Sequence, residues 1–299
     1  MLKDVEWAKD GTYIPGEEFS PERFFNDGLK NSCSFDLQLG YFSSATISVL
    51  AEGFATFIAN GGVMRLIINQ IVSEKDKEAI VNGTIGGIID CMDLTNFEEL
   101  RKTFDEYQEQ FFKCLAYLIS EKRIQIRIIK PKNKVGIAHT KSGQFRDGDS
   151  ITSFTGSANF TINGLFNNIE EIKIDRSDSL DLMTQNRIVS QRNSFHAIMD
   201  YDHKNVEYLS PDQLSVAVAS CYSNTDIDEL LEAEKDLTKI RMQRVVELAI
   251  ESNVACEDTQ VTQIAPHFPY DKPRDYQVQA FENWKNNKQK GYRIRFSIV

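Results

Sequence analysis

His139 and Lys141 stand two residues apart, just ahead of a Gly148-Asp149 turn. The chain then returns through Ile151–Thr155 to Gly156, Ser157 and Asn159, and Glu170 follows eleven residues beyond the asparagine. Residues i and i+2 of a strand share a face, so His139 and Lys141 point the same way, as do Ser157 and Asn159 if that corner is extended. A nucleophilic imidazole, a fixed cation, a hydroxyl, an amide and a carboxylate thereby converge. Such a set suits attack on a phosphodiester without a metal. His139 would attack phosphorus while Glu170 orients its ring. Lys141, Ser157 and Asn159 would hold the non-bridging oxygens as charge builds.

The elements needed to position these groups are a strand, a turn, a second strand, a glycine corner and a third strand. In that order the stretch resembles the phospholipase D superfamily, whose signature is His-x-Lys, then Gly-Ser-x-Asn, then a glutamate about eleven residues on. Phe160-Thr161 and Asn168-x-Glu170 are most similar to its nuclease branch. One position departs: the family often has an aspartate in the slot held here by Arg146, with Asp147 one residue later. The resemblance implies an α/β fold, a mixed β-sheet flanked by helices, and selects Glu170 over the neighbouring Glu171. It also implies two facing copies of the motif. This chain holds one, since His196, His203 and His267 lack a lysine two residues on. One imidazole cannot be covalent intermediate and general acid at once, so a homodimer with His139 from each chain is expected.

Composition bounds the alternatives. At 299 residues, 41% apolar and 26% charged, the chain reads as an ordinary globular protein of one large or two smaller domains. No apolar run approaches a membrane span, and Met1–Trp7 carries no signal-peptide core. Cys33, Cys91, Cys114, Cys221 and Cys256 are scattered without Cys-x-x-Cys spacing, so neither zinc nor a disulfide framework is indicated, and a cytoplasmic setting is expected. The net charge of −10 opposes long-range attraction to nucleic acid. Lys122, Arg123, Arg127, Lys130, Lys132 and Lys134 precede His139, either as a basic rim for phosphates or as a solvated loop and strand edge.

Along the chain, residues 1–20 read as a leader or covering loop. Ser20-Pro21 opens a helix. Ser34–Phe42 alternates as a strand. A helix runs from Ser43 or Ser44 to about Asn60, and Val63–Ile68 is a buried strand, which together make a βαβ unit with parallel strands. Gly83, Gly86 and Gly87 match no phosphate loop. Thr95 and Glu98 form a capping box for one long helix. Its stripe of Phe97, Leu100, Phe104, Tyr107, Phe111, Cys114, Leu115 and Leu118 is read as core or subunit interface. Arg123–Ile129 alternates with Ile124, Ile126 and Ile128 inward, and Glu171–Asp175 continues the strand after Glu170. Helical patterns follow at 179–199, 211–221 and from Thr225 to about Ser252.

Pro266 and Pro269 mark a linker. Beyond it Arg274-x-Tyr276-Gln277, with Ala280 and Trp284, resembles the adenine-reading helix that opens superfamily 2 helicases. There Gln277 would contact ATP. Arg293–Val299 is similar to the strand before the phosphate loop of those motors. The division expected is 1–178 phospholipase D-like domain, 179–253 helical extension, 254–271 linker and 272–299 start of a helicase-like ATPase belonging to a longer protein. The function expected is a metal-independent endonuclease on nucleic acid, needing no cofactor itself, within a helicase-linked restriction or DNA-processing enzyme. A phospholipase or phosphatidyl transferase, and a non-catalytic nucleic-acid-binding module, are the alternatives.

Overall fold

Ser34–Leu39 alternates Phe35, Leu37 and Leu39 against Asp36 and Gln38, a pattern of period two that can bury one face of a pleated strand. That strand lies inside the sheet. The computed structural model describes residues 1–40, 44–69, 97–132, 141–156, 171–223 and 225–257, with backbone alone for 44–46, 69, 212, 213 and 244–257. The chain divides into two units, Met1–Gln243 and Arg244–Val299. The first carries all the side-chain detail that follows.

Among the described residues the strands are β1 (Thr12–Tyr13), β2 (Ser34–Leu39), β3 (Val63–Asn69), β4 (Ile124–Pro131), β5 (Lys141–Asp147), β6 (Ser150–Gly156), β7 (Ile172–Arg176) and β8 (Val206–Leu209). They form one mixed sheet in the order β1-β7-β6-β5-β2-β3-β4-β8. The expected βαβ unit is present: β2 and β3 are parallel, joined through α2 (Ser44–Ala59). β4 adds in parallel to β3, while β5, β6 and β7 pair antiparallel beyond β2. The two-residue turn at Gly148-Asp149 closes β5 on β6, with Gly148 at φ +57, a conformation glycine adopts freely.

Helices cover both faces. α1 (Pro21–Lys30) starts where Ser20 Oγ accepts the Arg23 N–H, with proline in the first turn. Its Phe24 and Phe25 pack edge-on against Phe154 and, with Phe145, make an aromatic cluster under the sheet. The helix expected from Thr95 onward is two. α3 (Phe97–Arg101) ends early, and α4 (Glu106–Ser120) starts at a capping box in which Asp105 and Gln108 exchange side-chain and backbone bonds. Thr95 lies outside the described residues. Phe97, Phe111, Cys114, Leu115 and Leu118 are buried in the main core, as the stripe required. α5 (Leu182–Met199) covers the opposite face through Phe195, Ile198 and Met199 against Ile67, Ile129 and Val206. α6 (Asp212–Cys221) and α7 (Ile227–Glu257) complete the described helices.

Two readings change. Residues 1–20 are no covering leader: Leu2, Trp7, Ala8 and Tyr13 are buried in the core, and β1 pairs with β7. Their apolar residues lack a single period because they occupy a short 3-10 turn, a loop and a two-residue strand in succession. Residues 179–243 sit within the first unit, and β8 joins the sheet beside β4.

Candidate active site

The candidate site grows from one end of the central strands. β5 begins at Lys141, which is paired with Gly156, the last residue of β6. Gly156 is paired in turn with Ile172, the first residue of β7. On the other side Ser142 pairs with Gln38, so the end of β2 at Leu39, paired with Ile68 near the end of β3, belongs to the same edge. Successive residues alternate faces. Lys141, Gly143 and Phe145 therefore share a face, identified by Phe145 stacking on Phe35 at 4.4 Å. Ser142, Gln144 and Arg146 face α5, where the Gln144 amide donates to the Ile188 carbonyl.

Lys141 is the candidate catalytic residue that the structure describes. Its side chain is 2% exposed, rare for a lysine and costly unless its charge is answered by neighbours or put to use. His139, Ser157, Asn159 and Glu170 lie outside the described residues, as do Gln277 and the remainder of the helicase-like stretch. Glu171, the competing carboxylate, is described. It pairs with Lys173 at 3.4 Å, both half-exposed, while Ile172 between them is fully buried. Glu171 thus lies across the strand from the face that Ile172 shares with the core.

Arg146, which stands in the aspartate slot of the resembled motif, serves another purpose. It lies on the α5 face, 3.9 Å from Asp36. Arg65 of β3 grips the same carboxylate through two guanidinium nitrogens, its Nε at 2.7 Å. Asp36 is only 3% exposed, so this pairing locks β2, β3 and β5 side by side near the candidate site. Arg65 also donates to His196 Nε2 at 3.1 Å. A guanidinium only donates, so that nitrogen accepts and the ring is neutral. Burial, seconded by the Arg65 charge, lowers the His196 pKa below its ordinary value. Asp147 accepts the Leu2 backbone N–H at 3.1 Å, tying the N-terminus to the hairpin. The register sets Asp36 directly opposite Arg65 across the parallel pair.

Among the described residues, the cations Arg123, Arg127 and Lys130 are each engaged separately. Arg123 donates to the carbonyls of Gly62 and Ile58. Arg127 donates to the Met199 carbonyl and lies 4.3 Å over the Tyr201 ring. Lys130 pairs with Glu207 at 2.8 Å. Backbone carbonyls thus take up Arg123 and Arg127, and a carboxylate takes up Lys130. Lys134 lies outside the described residues.

No protein-family model and no curated protein matches the sequence. Among solved structures the fold is similar to NucT from Helicobacter pylori, at 14% identity and a TM-score of 0.36, covering 63% of this chain and 94% of that one. It is similar to the phosphatidylserine synthase of Haemophilus influenzae Rd KW20, at 11% identity and 0.40, covering 80% and 46%. A polyphosphate kinase from Porphyromonas gingivalis is similar at 12% and 0.36, covering 71% and 26%. At such scores these likenesses carry no argument about chemistry, and the functional reading rests on this chain's residues. No described helix is long and apolar enough to cross a membrane.

Proposed function

We propose that this chain is a phospholipase D-like phosphodiesterase that cleaves nucleic acid without a metal, through a phosphohistidine, in a site completed by a second copy. The observation that carries the reading is the register Lys141–Gly156–Ile172. Those three residues are neighbours across the sheet. In sequence they adjoin the three parts of the motif: His139 precedes Lys141 by two, Ser157 follows Gly156, and Glu170 precedes Ile172 by two. The pairing supports the reading by setting the chain neighbours of the motif's three parts side by side.

In this scheme a His139 ring nitrogen forms a bond to phosphorus as the bond to the leaving oxygen breaks. The protonated His139 of the partner subunit gives its proton to that oxygen. Water then displaces the imidazole, its proton passing to the same partner ring. Lys141, Ser157 and Asn159 hold the non-bridging oxygens, and Lys141 supplies charge that a divalent ion supplies in other phosphodiesterases. Nucleic acid is favoured as substrate by the nuclease-like residues Phe160-Thr161 and Asn168-x-Glu170.

The test is cleavage of end-labelled DNA and RNA in EDTA, wild type beside His139→Ala, with phosphatidylcholine liposomes as a parallel substrate. The expected result is chelator-resistant cleavage of nucleic acid that His139→Ala abolishes. Activity that vanishes in EDTA and returns with Mg²⁺, or hydrolysis of lipid alone, overturns the proposal.

A further inference from the structure

α2 is broken. Residues 44–51 and 54–59 are helical, but Glu52 (φ −80, ψ 119) and Gly53 (φ +96, ψ −10) are not. A continuous α-helix sends each N–H to the carbonyl four residues back, so the N–H groups of Ala55 and Thr56 would bond to Ala51 and Glu52. Here they are taken by another element. Glu234 of α7, 4% exposed, accepts the Ala55 N–H at 2.7 Å, the Thr56 N–H at 3.2 Å and the Thr56 hydroxyl at 2.5 Å. It serves as an N-cap brought in from far along the chain, a carboxylate at the positive end of a new helix. The same stretch of α7 is anchored elsewhere. Leu230 and Leu237 are buried, the Gln110 amide donates to the Leu230 carbonyl at 2.8 Å, and the Tyr107 hydroxyl donates to the Leu237 carbonyl at 3.4 Å. Arg241 pairs at 3.2 Å with the buried Glu52 at the break itself.

Two arrangements thus compete for the same two N–H donors: a bent α2 capped by α7, and a continuous α2 that satisfies them internally. We propose that α2 is a two-state element, and that α7, through Glu234, selects its bent state and so sets the catalytic edge. The link to that edge is short. The first half of α2 follows β2 by way of residues 41–43, and β2 ends beside Ser142, next to Lys141. Straightening α2 re-aims its first half relative to the end of β2. Discrete alternatives of this kind, not gradual deformation, are how packed helices transmit a change. Any event that shifts α7 along its axis draws the carboxylate from its donors. α7 runs on as helix to Glu257. That this regulates catalysis rests on the phosphodiesterase reading; the competition for donors does not.

Two variants, made in the full chain, tip the balance by different routes. Glu234→Ala removes the cap. Gly53→Ala opposes the bent state because φ +96 is strained for alanine and its Cβ would lie 3.0 Å from Asn26 Oδ1. Hydrogen exchange of peptides from 227–243 is expected to quicken about tenfold in both variants while exchange in β2–β5 is unchanged. Cleavage in EDTA is expected to change at least fivefold in the same direction in both, with Glu234→Gln closer to wild type because its amide oxygen still accepts. The double variant is expected to match the single ones, since both remove the same state. Unchanged α7 exchange in Gly53→Ala shows that the two arrangements do not compete, and overturns the switch. Faster exchange throughout Glu234→Ala marks a cap that only stabilises, and overturns it as well. Release of α7 with cleavage unaltered breaks the link to the edge. If wild type cleaves nothing, the phosphodiesterase reading fails while the exchange measurements still decide the switch.

Discussion

The sharpest prediction concerns Lys141. Replacing it with methionine keeps a long unbranched side chain in a site that is 2% exposed and removes the charge together with its N–H donors. A unit charge about 4 Å from a second one is worth about 4 kcal/mol at the effective dielectric of protein sites. If the ammonium faces the non-bridging oxygens as charge builds there, that energy is lost from the transition state, and each 1.36 kcal/mol is about tenfold in rate. Lys141→Met should therefore lower kcat about a thousandfold, with a much smaller change in KM, because the interaction strengthens only as the reaction proceeds. The assay is single-turnover cleavage of an end-labelled oligonucleotide in EDTA, run beside thermal denaturation of both proteins. Lys141 has interaction partners in the fold, and removing one member of a buried charged pair costs stability, so denaturation is what separates a lost transition-state contact from a weakened fold. A kcat within tenfold of wild type in a protein that melts normally refutes the role given to this lysine.

Three further predictions follow from the packing. Asp36→Asn takes a buried carboxylate from between Arg65 and Arg146, whose side chains are 23% and 29% exposed. Because solvent reaches both guanidinium groups, the cost should be about 2–3 kcal/mol, below the full penalty of breaking a buried pair, and should appear as a fall of roughly 5–10 °C in melting temperature. Gly28→Ala would set a Cβ 2.3 Å from the Phe145 ring, so despite alanine's helix propensity it should destabilise by about 1–3 kcal/mol, read as a lower urea midpoint. His196 has a folded pKa below its unfolded value near 6.5. The unfolded chain then binds more protons below that value, so the stability it contributes is present above pH 6.5 and is lost as pH falls toward the folded pKa. Wild type should lose more stability than His196→Gln between pH 7.5 and 5.5. Burial raises the pKa values of Glu52 and Asp27 and works the other way in both proteins alike, so the difference between the proteins isolates the histidine.

The sequence disclosed the interior of the sheet more clearly than its margins. β2, β3, β4 and the β5–β6 hairpin are runs whose period or turn chemistry is local, and parallel pairing of β2 with β3 follows from the helix between them. β1 and β8 span two and four residues, too short for any period to show, and each exists because a longer neighbour offers it a partner. The break in α2 was hidden for a related reason. Its apolar spacing persists through Glu52 and Gly53, and what unwinds the helix there is a carboxylate about 180 positions later. The early stop of α3 had a readable cause, the Asp105-x-x-Gln108 box, which the earlier Thr95-x-x-Glu98 pattern overshadowed. For the candidate site, residue types and spacing suggested a chemistry, and strand register adds what spacing lacks, the lateral order of Lys141, Gly156 and Ile172. Asp36, Arg65 and Arg146 were passed over because they touch no reacting atom.

The pairing of β1 with β7 has a consequence for biosynthesis. Tyr13 emerges from the ribosome 159 residues ahead of Ile172, its partner across the ladder. At translation speeds of about 5–20 residues per second, the nascent N-terminus waits roughly 8–30 seconds for the strand that will cover it. Throughout that wait Leu2, Trp7 and Tyr13, all destined for the interior, stand open to chaperones. A segment made early is thus sheltered late, and a substitution that weakens β7 would prolong its exposure.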